Sequence, residues 1–142
     1  VGSQPEIVTP KLAHELDRLG LSFLAEILEA EVERHPENVE ALAELGHVYT
    51  RQGRNEKGLA VDRKLVSLSP RNPTAHYNLA CSLALTGDAD LAIESLRQAI
   101  EHGYDDPDFM GQDEDLASLR ADARFQTLLR RLRERALGGP IP

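Results

Sequence analysis

Residues 34 positions apart in this chain match in kind: Pro36 with Pro70, Leu45 with Leu79, and Gly53 with Gly87. The same offset sets Gly46 over Ala80, Tyr49 over Leu83, Gly58 over Ala92, Leu59 over Ile93, Leu65 over Ala99 and Val66 over Ile100. A period of this length marks a helical hairpin that cannot bury its own apolar face and must stack on its neighbours. Composition agrees. With 4% aromatic residues and no Trp, the core must be built from Leu, Ala, Val and Ile, which favours packed helices over a β-sandwich. A length of 142 residues suits one domain.

Within each unit the apolar spacing is helical. From Asn38 to Gln52 it runs through Ala41, Leu42, Leu45, Val48 and Tyr49, and Gly53 follows where a helix needs a left-handed end. A second helix is expected from Asn55 to Leu68, closed by Pro70. The next unit repeats the plan, with helices from Pro73 to Thr86 and from Ala89 to Glu101, Asp88 as an N-cap, and Gly103 as the end. Small residues fall where paired helices would touch: Gly46 opposite Gly58, and Ala80 opposite Ala92 and Ala99.

These residues resemble the tetratricopeptide repeat, with its pattern W-x2-L-G-x2-Y, A-x3-F and P. The first full unit presents Leu42, Leu45, Gly46, Tyr49, Gly58, Asp62 and Pro70; the second presents His76, Leu79, Ala80, Leu83, Ala92, Leu96 and Tyr104. Asp62 stands where the family has an aromatic, which suggests a thin interface there, and Tyr104 replaces the closing Pro. The resemblance implies an all-α, right-handed superhelical stack of antiparallel hairpins.

The ends depart from the rhythm. Leu21 to Arg34 reads as the second helix of a degenerate first repeat, with Pro10 to Leu19 as a short partner displaced at Gly20. Downstream, Tyr104 to Asp115 holds six acids in twelve residues, and the run from Asp115 to Leu137 places Leu116, Leu119, Phe125, Leu128, Leu129 and Leu132 on a short and a longer helix. That ending is similar to the degenerate segment closing some bacterial arrays, with Phe125, Leu128 and Leu132 covering the stack while the Arg face stays wet. The expected organisation is a linker or tag-like stretch over 1–8, one domain over 9–137 and a tail over 138–142. Its repeats span about 9–37, 38–72 and 73–104, and its cap spans 105–137.

Charge and special residues narrow the function. The net charge is −8, which argues against general nucleic-acid binding. From Arg120 onward six Arg face two acids, a local +4, so the preceding 119 residues carry −12. Arg124, Arg130, Arg131 and Arg133 are therefore a candidate docking tail for an acidic partner. No apolar run approaches the length of a membrane span, the N-terminus lacks a signal-peptide layout, and the lone Cys81 fits a reducing compartment, so a cytoplasmic setting without membrane insertion is expected. His14, His35, His47, His76 and His102 are scattered without metal spacing, and His76 reads as a core histidine. Asp106, Asp108 and Gly111 match an EF-hand loop, but Met110 and Ala117 occupy ligand positions, which excludes one and leaves the acidic stretch as an expected solvated connector. With no P-loop or dinucleotide glycine pattern either, no metal, cofactor or catalytic site is expected.

The resemblance implies that binding residues lie on the concave face formed by the first helix of each hairpin. Helical geometry puts Glu40, Ala43, Glu44, His47 and Arg51 there in one unit, and Thr74, Tyr77, Asn78, Cys81 and Leu85 in the next. Asn78 matches one residue of the family's carboxylate clamp, while Ala43 and His47 replace two others, so chaperone-tail binding is not favoured. The expected function is a non-catalytic adaptor or scaffold holding a peptide or helix of a partner protein. Tyr77 would be its aromatic anchor, Glu40 and Glu44 would receive basic side chains, and Asn78 and Arg51 would meet backbone or carboxylate groups. The alternative is self-assembly into homo-oligomers through the array ends or the basic C-terminal helix.

Overall fold

A computed structural model describes residues 9–138; the expected linker over 1–8 and most of the tail lie outside the described residues. Seven α-helices follow one another: α1 Pro10–Arg34, α2 Val39–Arg51, α3 Asn55–Leu68, α4 Pro73–Leu85, α5 Ala89–Glu101, α6 Pro107–Gln112 and α7 Ala123–Ala136, with a 3-10 turn over Glu114–Leu119 before α7. Helices adjacent in sequence from α1 to α5 pack on one another, giving the all-α tetratricopeptide-like solenoid.

Local chemistry fixes the hairpins. Asn38 and Asn72, again 34 apart, cap α2 and α4 by accepting from the Ala41 and the Thr74 and Ala75 amides. Gly53 and Gly87 turn α2 into α3 and α4 into α5 at φ of 73° and 88°, a region that disfavours side chains. After each glycine the next amide reaches back five residues, Arg54 to the Tyr49 carbonyl at 2.8 Å and Asp88 to Leu83 at 2.9 Å, in the same helix-ending motif. Gly58 packs against Gly46: a Cβ on Gly58 would lie 3.6 Å from the Gly46 carbonyl oxygen.

Two expectations at the ends are corrected. The degenerate first repeat is not a hairpin. α1 is one continuous helix of 25 residues, because Gly20 keeps a helical backbone and the residues after it carry the helix on. Its inner face meets α2, where the Tyr49 hydroxyl donates to Glu29 at 2.7 Å and the Arg54 guanidinium lies 4.8 Å above the Tyr49 ring. Nor is the acidic stretch only a connector. It contains α6, capped by Asp106, and the 3-10 turn then lies against α4 where a further first helix would pack.

The core is lopsided. A large cluster joins Tyr77, Ala80, Leu83, Ala92, Ile93, Leu96 and Ala99 to Met110, Leu116, Leu119, Phe125 and Leu132 of the C-terminal segment. A second cluster holds only Leu42, Leu65 and Ala75 fully buried. His76 is buried as expected, its Nε2 2.7 Å from the Pro70 carbonyl and its ring stacked on His102.

Candidate functional site

A pocket of about 350 Å³ opens on the face shared by α2 and α4 and is walled by α6 and the 3-10 turn. The periodicity that buries Leu45, Val48 and Leu83 turns Thr74, Asn78 and Cys81 of α4, and His47 of α2, toward this pocket. The C-terminal segment adds Tyr104, Phe109, Asp113 and Asp115, and α3 adds Asp62.

Asp113 organises the wall. As N-cap of the 3-10 turn it accepts the Asp115 amide at 3.0 Å through Oδ1. Its Oδ2 accepts the Tyr77 hydroxyl at 2.7 Å and the Cys81 thiol at 3.7 Å. These bonds bridge 36 and 32 positions of chain, so they fasten the C-terminal segment to α4. Burial, then the Asp113 carboxylate, pushes both the Tyr77 hydroxyl and the Cys81 thiol well above their ordinary pKa values. The thiol is therefore held protonated. Burial, and secondarily Asp113, also raises the Asp115 carboxyl, opposed by His47.

Asp62 is the other unusual group. It is 3% exposed, and burial pushes its carboxyl up to about 6 against the pull of its hydrogen bond from the Ser82 hydroxyl and of His47. A Cβ on Gly46 would come within 2.7 Å of Asp62 Oδ1, so the carboxylate occupies the space that glycine leaves open. The expected thin interface is thus filled by a buried α3–α4 hydrogen bond instead of an aromatic ring.

Only part of the expected groove comes together. His47, Thr74, Tyr77, Asn78 and Cys81 line one pocket. Glu40 and Glu44 are exposed on α2 outside its lining, and Arg51 lines a separate cleft with His14, Asp17 and Arg18 of α1. Tyr77 is corrected from anchor to wall: it is 5% exposed and stacked on Tyr104 with ring centroids 4.5 Å apart. The aromatic that a ligand can reach is Phe109, 55% exposed and 5.9 Å from the Tyr77 ring, which sequence reasoning missed. The signal was present, since a large apolar residue among the acids of 104–115 is out of place in a solvated connector.

In the candidate tail, Arg124 is committed to its own chain, pairing with Asp90 and Asp122 at 2.8 Å each, while Arg130, Arg131 and Arg133 are exposed. Hydrogen bonds from Arg124 hold the Asp122 carboxyl down at about 2. For metal chemistry, Cys81, Asp113 and Asp115 offer one ligand atom each within 4.8 Å. A protonated thiol and a carboxylate already accepting three hydrogen bonds make this a structural cluster and a poor fit to a metal.

Comparison with known proteins places the helical pattern. The chain is 38% identical over 68 residues to the protein CTR9 homolog of Arabidopsis thaliana, covering 48% of this chain and 6% of that protein. It is 37% identical over 84 residues to the peroxisomal targeting signal receptor of Pichia angusta, and 34% identical over 92 residues to that of Komagataella phaffii. Those two matches cover 59% and 65% of this chain and 15% of each receptor. The chain therefore corresponds to a small part of the length of these relatives, which contain tetratricopeptide repeats and support a protein–protein interaction module. No described helix is long and apolar enough to cross a membrane. A family model matches residues 47–138, from the first helix of the first full hairpin through the C-terminal segment, and the chain belongs to the family it describes, "A/B hydrolase-like, N-terminal domain".

Proposed function

We propose that this domain is a non-catalytic recognition module that receives a peptide or helical segment of a partner protein in the pocket between α2, α4 and α6. The observation that carries the reading is the pocket itself, a concavity on the first-helix face with an accessible aromatic, Phe109, beside Asp113 and Asp115. These carboxylates and the neighbouring ring favour a segment that presents a basic side chain next to an apolar one. Asn78, half-buried on the same wall, supplies a side-chain amide for the segment's backbone.

The non-catalytic reading rests on chemistry. An activated cysteine needs a lowered pKa and a base, whereas Cys81 is buried, raised and bonded to an acid. The family description names a hydrolase-like protein as the setting, and in this reading the helical domain contributes recognition to such a protein while hydrolysis belongs elsewhere. The C-terminal segment serves as a bacterial-type degenerate cap that also builds one wall of the pocket. No cofactor is invoked, and a reducing, cytoplasmic setting keeps Cys81 as a thiol.

The test is selection from a displayed random-peptide library on the wild-type domain, followed by affinity measurement on Asn78→Arg and Phe109→Ala, both at solvent-accessible positions. Selected peptides should carry Lys or Arg beside an apolar residue and bind each variant at least tenfold more weakly, roughly 1.4 kcal/mol. Equal affinity for the folded variants, or selection of acidic peptides, would overturn the site.

A further inference from the structure

α1 is apolar on two opposite sides. One side carries buried Ala25 and half-buried Leu21, Leu28 and Val32, with Val32 in the smaller core cluster. The other carries Leu12, Leu16, Leu19, Phe23 and Ile27, exposed by 45 to 65%, with Leu24 at its border. At 100° per residue the two stripes face away from each other, and the outer one is about 22 Å long. A helix apolar on both sides is a helix meant to be covered on both.

The outer stripe has an internal symmetry. Its positions, Leu12, Leu16, Leu19, Gly20, Phe23 and Ile27, are spaced 4, 3, 1, 3 and 4 residues apart, the same in either direction. A two-fold axis between Leu19 and Gly20 would bring Leu12 against Ile27 of a second copy, Leu16 against Phe23, and Leu19 over Gly20. Gly20 sits in the helix interior, where glycine is unfavourable by roughly 1 kcal/mol relative to alanine, and a Cβ there would meet nothing within 4 Å. A backbone left bare in the middle of an apolar face is what a closely approaching second helix requires.

We infer that the chain self-associates as a symmetric, antiparallel α1–α1 dimer through this stripe. The exposed side chains amount to roughly 600 Å² per copy, so a pair covers on the order of 1,200 Å², the lower end of a specific interface. The self-matching pattern is what an isologous contact demands, residue i meeting j while j meets i. Glu15 at its edge is paired with Arg18 at 2.9 Å, which reduces the charge brought to the contact.

Sedimentation equilibrium of the chain from about 1 to 200 μM tests this directly, since a dimer must dissociate on dilution. Wild type should show a monomer–dimer equilibrium, and Leu16→Glu with Phe23→Glu should remain monomeric with unchanged helicity, both sites being exposed. Gly20→Gln should raise the thermal midpoint of the dilute monomer by restoring helix propensity while weakening the dimer at least tenfold, opposite signs that a merely structural glycine cannot give. Orientation is read by oxidation: chains carrying Leu16→Cys should cross-link to chains carrying Phe23→Cys, and neither to its own kind, because disulfides form only between closely apposed Cα atoms. A wild-type monomer at the highest concentration, a dimer that survives the two glutamates, or self-linking of Leu16→Cys would each overturn the proposal.

Discussion

The two ends of the stack meet the same physical problem and leave it in different states. At the C-terminal end the apolar surface of α5 is covered by a non-repeating segment, whose Met110, Leu116, Leu119, Phe125 and Leu132 are all buried in one cluster with Ile93 and Leu96. At the N-terminal end the single helix α1 buries only Ala25 fully and exposes five large apolar side chains along its outer face. Capping residues do not explain the contrast, since Thr9 caps α1 as Asp122 caps α7. What separates the ends among the described residues is what packs on each: the 3-10 turn returns across α4 and α7 packs against α5 and α6, whereas α1 packs chiefly on α2.

The contrast is sharpest in paired truncations. Phe125→Ala should cost about 3 to 5 kcal/mol in chemical denaturation, the usual range for emptying a buried aromatic site, while Phe23→Ala in dilute protein should fall within about 0.5 kcal/mol of wild type. Comparable losses at both sites would erase the distinction between a covered and an open end.

Asp62 shows that even the repeat body is not uniformly apolar. Its folded pKa of about 6 lies above the usual 3.8, so the fold favours the protonated acid. Stability from this group is therefore full below about pH 4 and is lost as pH rises through 6. Asp62→Asn should remove that loss, raising stability at pH 7 by at most about 3 kcal/mol and by little at pH 4, read as the difference between two urea titrations. A pH-independent difference would show that the carboxylate ionises freely in the fold.

Glycine substitutions probe the ends more gently. Gly53→Ala should destabilise by about 1 kcal/mol because the turn needs positive φ, whereas Gly20→Ala in dilute protein should stabilise by a similar amount as an exposed helix-interior site. Smallest of all, Arg124→Ala should lower the thermal midpoint slightly at low salt and not at all in about 1 M salt, because its pairs with Asp90 and Asp122 are exposed. A salt-independent loss would mean that the guanidinium's packing on α7 matters more than its charge.

Much of the fold was legible because its causes are local. The limits of α3 and α5 follow from apolar spacing, from Gly53, Gly87 and Gly103, and from the capping Asp88. Gly20 misled because a glycine ends a helix only where the backbone turns left-handed, and the apolar residues after it hold the helical path. α6 was hidden because six residues give no periodicity, and acids read as solvated until Asp106 is seen to cap. Half of the pocket was legible for the same reason as the hairpins: Thr74, Asn78 and Cys81 share a face of one helix. The other half was not, since Phe109, Asp113 and Asp115 reach the site only by a fold-back.

By itself, then, the sequence determined the hairpins, their 34-residue register and the face of α4 turned toward the pocket, because turn conformation, capping and amphipathicity act within a few residues. Tertiary structure alone decided that Tyr77 is a wall, that Phe109 is the accessible ring, that Asp62 is buried against Gly46, and that one side of α1 stays open. Each depends on which distant segment arrives at a surface: Asp113 must cross 36 positions to reach Tyr77, and Ser82 must cross 20 to reach Asp62. A periodic pattern specifies which face seeks a neighbour, but the identity of that neighbour is settled only when the chain has packed.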